Sequence, residues 1–105
     1  MDIFDRLRDT KNIKNMYKFT RKLNPKDQDI ILSIWSEKNI IEIAKKTQIS
    51  YGIVIKKLKM FEEKGIVTTK KIGRYRKCNL TNRGKLLRCC LIQLLEVLRW
   101  DMKDL

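Results

Sequence analysis

The sequence predicts a mainly α-helical fold with one small β-hairpin, an α+β class built around a single core. Three observations carry that prediction. Apolar residues recur at helical spacing through most of the chain. Two short β-like stretches flank Gly73, and only four Gly and one Pro interrupt the 105 residues. With 43% apolar residues the chain can close a modest core, and its length suits one domain of about 100–150 residues.

The elements follow in order. Residues 1–23 place Ile3, Phe4, Leu7, Ile13, Met16, Tyr17 and Leu23 at helix-like spacings, with a break near Thr10 to Asn12. Asn24-Pro25 is a start signal, since Asn caps and Pro suits the first helical position. The helix that begins there is expected to reach about Glu37 and to bury Ile30, Ile31, Ile34 and Trp35. Asn39 with Glu42 fits a capping box opening a short helix to about Thr47. Gln48-Ile49 forms a turn, and Ser50 caps a third helix from Tyr51 to Lys64, stopped by Gly65. Ile66–Lys71 and Tyr75–Leu80 make the hairpin, and Thr81 or Asn82 caps a last helix reaching about Lys103. Helix, helix, helix, hairpin, helix is the order of a winged helix-turn-helix. An N-terminal extension would occupy residues 1–24, the winged unit 25–81 and a dimerisation helix 82–105, all in one compact domain.

Composition narrows the chemistry. The 25 Lys+Arg against 12 Asp+Glu give a charge of +13, and there is no histidine. That absence removes Ser-His-Asp and Cys-His catalysis and the histidine-containing zinc motifs. Glu62 and Glu63 are adjacent on a helix, so their side chains diverge by about 100° and make no acid/base pair. No enzyme, cofactor or metal site is expected. No apolar run approaches the ~18–20 residues of a membrane span, and residues 1–20 lack the apolar block of a secretory signal. Three cysteines, two of them adjacent, make no disulfide framework. A reducing, cytoplasmic setting is expected.

The charge is unevenly placed. Residues 11–26 carry +6 and residues 65–88 carry +8, neither block holding an acid, while 27–44 sum to −3. Such blocks point to an anionic partner, nucleic acid first. On a helical wheel Val54, Leu58 and Phe61 share one face of the third helix, and Gly52, Lys56 and Lys59 fall opposite. One stripe can lock onto the preceding helices while the other enters a major groove.

Ile43-Ala44, Ile49-Ser50, Val54, Leu58, Phe61-Glu62-Glu63-Lys64-Gly65-Ile66-Val67, then Gly73-Arg74-Tyr75-Arg76 and Leu80-Thr81-Asn82-Arg83-Gly84, resemble the winged core of MarR/ArsR-type transcriptional regulators. The resemblance covers roughly residues 25–88. It implies a dimeric regulator that binds double-stranded DNA, and a small archaeal or viral member is expected. The recognition-helix candidates are Ser50, Tyr51, Gly52, Ile53, Ile55, Lys56 and Lys59. The wing candidates are Lys70, Lys71, Arg74, Arg76 and Lys77, placed to follow a phosphate backbone or dip into a minor groove. Lys45, Lys46 and the block Lys11, Lys14, Lys18, Arg21 and Lys22 are backbone candidates.

Two departures stand out. Gln48 occupies a turn position where the family often has glycine. Ile53 and Ile55 stand where it often has Thr or Ser, and an apolar side chain can touch a thymine methyl but cannot hydrogen-bond a base edge. The chain is also shorter than a typical MarR protein, which leaves little room for a built-in small-molecule pocket. In the last helix Leu87, Leu91, Leu94 and Leu98 form a seam longer than one small core needs, expected to meet a second copy. Cys78, Cys89 and Cys90 could sense metal or oxidant, but a buried cysteine acting as a small hydrophobe is the simpler reading. Trp35 and Trp100 are expected to pack in the core. Two rival functions remain: a sequence-tolerant architectural DNA binder, and a protein-interaction winged helix whose basic face meets an acidic partner.

Overall fold

A computed structural model describes the backbone of residues 22–104 and the side chains of residues 22–96. The expected helical stretch before residue 22, with Lys11, Lys14, Lys18 and Arg21, lies outside the described residues, as do the side chains of Leu98 and Trp100.

Asn24 starts the first helix as its residue type requires. Its side chain accepts from the Asp27 backbone N–H at 2.9 Å, and the Asp27 carboxylate accepts in return from the Asn24 N–H at 3.3 Å. The capping box therefore sits here, one helix earlier than expected. Helix α1, Pro25–Ser33, buries Ile30 and Ile31 and stops four residues short of Glu37. At its end the Ser33 hydroxyl donates back to the Ile30 carbonyl at 2.6 Å, competing with continuation of the helix. Because the helix ends there, Ile34 stays buried but Trp35 turns outward, 59% exposed, contrary to its expected place in the core.

The early end releases the next residues for a strand that the sequence did not announce. β1, Lys38–Asn39, pairs antiparallel with β3, Lys38 opposite Cys78 and Asn39 opposite Lys77. Helix α2, Ile40–Thr47, follows with Asn39 accepting from the Ile41 N–H, and buries Ile40 and Ile43. Gln48 closes it at φ 58°, in the left-handed region that favours glycine. Helix α3, Tyr51–Glu63, buries Val54, Leu58 and Phe61 as the wheel predicts. Ser50 holds the N-cap position but its side chain makes no capping bond.

Strands β2, Val67–Ile72, and β3, Tyr75–Leu80, form the hairpin one residue out of the expected start, around Gly73 at φ 60°. The sheet order is β1-β3-β2. Helix α4, Asn82–Asp104, then packs back on the core through Leu87 and Leu91. Its first turn is set by Thr81, whose hydroxyl donates to the Gly65 carbonyl at 2.6 Å and accepts from the Gly84 N–H at 3.1 Å. A Cβ on Gly84 would fall on the Ile66 carbonyl oxygen, so only glycine lets the helix start this close to the strand. One core, from Leu23 to Leu91, joins the helices to the sheet.

Candidate nucleic-acid interface

Helix α3 sorts its side chains by face. Tyr51, Gly52, Ile53, Lys56 and Lys59 are exposed, while Val54, Leu58 and Phe61 are buried. Ile55 departs from its expected place on the outward face: it is half-buried against the core, a quarter-turn from Val54. Lys57 is drawn the other way. Its ammonium lies 2.9 Å from Oδ1 of Asp27, a carboxylate only 4% exposed and held in the capping box of α1. Oδ1 has no hydrogen-bond partner among the described residues, so the Lys57 charge is what compensates its burial. The sequence alone gives neither Asp27 nor Lys57 a role in the interface. No local signal links them, because the pair joins residues 30 positions apart.

The hairpin presents its charges differently. Lys71 stands opposite Arg76 and Lys70 opposite Lys77, two like-charged pairs in direct register. Such pairs oppose strand pairing, and an anion lying along the hairpin would relieve them. Lys77 is compensated within the chain, its ammonium 3.5 Å from Glu37, which also accepts from Asn79. Of the five wing candidates it is the one that the fold supplies with an acid. Lys71, Arg74 and Arg76 are exposed with no acid partner among the described residues. Ile72 and Tyr75, both exposed, flank the two-residue turn Gly73-Arg74.

Lys45 and Lys46 are exposed in the last turn of α2. Trp35 joins them unexpectedly: the Lys38 ammonium sits 3.6 Å from its ring centroid and that of Lys46 6.0 Å away. The leucine seam of α4 divides. The core takes Leu87 and Leu91, each 1% exposed, so neither is open to a second copy; Leu94 and its neighbour Leu95 are exposed.

Cys78 is buried on β3, and burial pushes its thiol up to about 12, Glu62 adding to the effect. Cys89 is exposed, and Cys90, half-buried beside it, is also raised, by burial and then by Cys89. Among the described residues no three His, Cys, Asp or Glu side chains gather as a metal site. A cavity of about 200 Å³ lies between the end of α1, β3 and α4, lined by Ile34, Trp35, Ser36, Asn79, Leu80, Lys85 and Arg88. No helix among the described residues is long and apolar enough to cross a membrane.

Taken together, the helix pair α2–α3, the hairpin and the returning α4 define a winged helix-turn-helix. No family model matches the chain, and no curated protein matches it. Solved structures do. MepR, a transcription regulator of the Staphylococcus aureus multidrug efflux pump MepA, aligns with TM-score 0.73 over 96% of this chain and 79% of its own, at 15% identity. Streptococcus pneumoniae FabT, crystallised in complex with DNA, aligns with TM-score 0.69 over 79% of this chain and 62% of its own, at 18% identity. ZitR of Lactococcus lactis, a zinc-responsive MarR family member, gives TM-score 0.62 and 18% identity over 79% of this chain and 62% of its own. The chain thus spans less than two thirds of FabT and ZitR. At these identities the likeness establishes a shared fold. The archaeal or viral source expected from the sequence gains no support from it.

Proposed function

We propose that the chain is a dimeric, sequence-specific double-stranded DNA-binding protein that regulates transcription inside the cell. The observation that carries this reading is how the acids are distributed. Asp27 and Glu37 compensate Lys57 and Lys77, which lie against the body of the fold. Lys56 and Lys59 on α3, and Lys71, Arg74 and Arg76 on the hairpin, keep their charge toward solvent with no acid beside them among the described residues. In this reading the N-terminal half of α3 enters the major groove, and the hairpin follows the backbone or an adjacent minor groove. Lys45 and Lys46 meet phosphates. The winged fold shared with a protein crystallised on DNA supports the same reading.

The exposed Leu94 and Leu95 of α4 support a two-fold dimer that sets two α3 helices at half-sites about one helical turn apart. A solution mass of two chains is the expected result.

A second reading, sequence-tolerant architectural binding, is favoured by the outward face of the first half of α3, which carries no Arg, Asn or Gln for bidentate pairing to a base. Selecting bound duplexes from random DNA separates the two. A regulator should prefer its selected site over bulk DNA by at least about 10³. A ratio near one would leave the architectural reading, and no binding to duplex DNA at low salt would remove both.

A further inference from the structure

The exposed face of α3 is chemically selective in what it omits. From Ser50 to Lys59 the outward side chains are a serine, a tyrosine, a glycine, an isoleucine and two lysines. There is no carboxylate, carboxamide or guanidinium among them. Adenine N6 and cytosine N4 are amino donors in the major groove and need an acceptor. Only the hydroxyls of Ser50 and Tyr51 could accept here. The lysine ammoniums are donors and suit guanine O6 and N7. Ile53, 38% exposed in the first turn of α3, has a single complementary feature in the groove, the C5-methyl of thymine. Gly52 beside it adds no bulk, and a Cβ there would meet nothing within 4 Å. The helix can therefore approach a base edge closely at this point. Ile55, two residues on, is turned against the core and cannot share the role.

Building on the DNA-binding reading above, we infer that Ile53 is a specificity-determining residue that reads thymine through its C5-methyl group. The site is then recognised by a thymine methyl beside Ile53 and guanines beside Lys56 and Lys59, rather than by bidentate pairing to adenine.

Replacing each thymine of a selected site in turn by uracil removes that methyl and leaves Watson–Crick pairing intact. The native protein is expected to bind about fourfold more weakly at one position per half-site, the effect of one buried methyl. Ile53→Ala should bind the thymine and uracil forms equally well. Ile53→Thr, which keeps a branched side chain at this exposed position, serves as a second variant with reduced discrimination. If the native protein binds every uracil form as tightly as the thymine form, the inference fails while DNA binding stands. If the uracil penalty is the same in Ile53→Ala as in the native protein, the methyl acts through another residue or through DNA shape, and the assignment to Ile53 fails. If no duplex is bound at low salt, the DNA-binding reading fails and this one with it.

Discussion

The two basic elements of the molecule, helix α3 and the hairpin, are fastened to the fold in opposite ways. Helix α3 is held along its length. Val54, Leu58 and Phe61 lie in the core, and Lys57 reaches back to the buried Asp27 at the start of α1. The hairpin is held only at its base, where Val67, Cys78 and Leu80 are buried; from Lys70 to Arg76 every residue is exposed. A rigidly seated helix can present a side chain to one base edge within fractions of an ångström. A lever of opposed cations is suited to a backbone that offers the same phosphate everywhere. The contrast assigns selectivity to α3 and general affinity to the hairpin.

The largest expected effect comes from removing the anchor that distinguishes α3. Lys57→Met leaves the buried Asp27 carboxylate without its counter-charge, so urea unfolding should show a loss of about 3–5 kcal/mol. A change under about 1 kcal/mol would mean that the pair does not hold the helix.

Next comes charge reversal on the two elements. Lys56→Glu with Lys59→Glu should weaken specific duplex binding by at least about a hundredfold and erase the preference for the selected site. Arg74→Ala with Arg76→Ala should weaken binding to every duplex by about tenfold and flatten the salt dependence by about one unit per phosphate contact removed. Equal effects of the two doubles on selectivity would break the contrast.

Smaller effects sharpen the account of the scaffold. Gln48→Gly relieves a left-handed non-glycine residue in the turn before α3 and should stabilise the protein by about 0.5–1 kcal/mol in thermal unfolding. The Cys78 thiol, raised to about 12 from an ordinary 9.0, keeps its proton in the folded chain where the unfolded chain loses it. Stability should therefore be independent of this group below pH 9. It should fall between pH 9 and 12 by up to about 1.4 kcal/mol per pH unit, and Cys78→Ala should remove that slope.

The elements of the winged unit were legible because each is specified locally. Asn24-Pro25, Ser50, Gly65 and Gly73 mark boundaries by residue type, and the Val54, Leu58 and Phe61 stripe is a period that the sequence prints directly. What was missed is long-range. Trp35 reads as core by helical spacing, but Ser33 ends α1 before it, and β1 has no strand-like composition in Lys38–Asn39; its pairing with β3 defines it. Leu87 and Leu91 fit a dimer seam by spacing alone, whereas burial assigns them to this chain's own core. Gly84 was visible as a family motif, and the structure adds the reason: the Ile66 carbonyl occupies the place of a Cβ. For the candidate interface, the wheel found Lys56 and Lys59 but could not separate Ile53 from Ile55, which differ by a half-turn of exposure. It also could not know that Asp27 and Glu37 would compensate Lys57 and Lys77.

The central claim, that the cations without acid partners on α3 and the hairpin hold duplex DNA, is tested most directly by one salt series. Affinity for a duplex carrying the selected site is measured from low to physiological salt, for the native protein and for the Arg74→Ala, Arg76→Ala variant. The account predicts a linear fall of log affinity with log salt, with a slope of about −0.9 for each phosphate neutralised, and a slope shallower by about two such units in the variant. Binding that is undetectable at low salt, or a slope that the two substitutions leave unchanged, would contradict it.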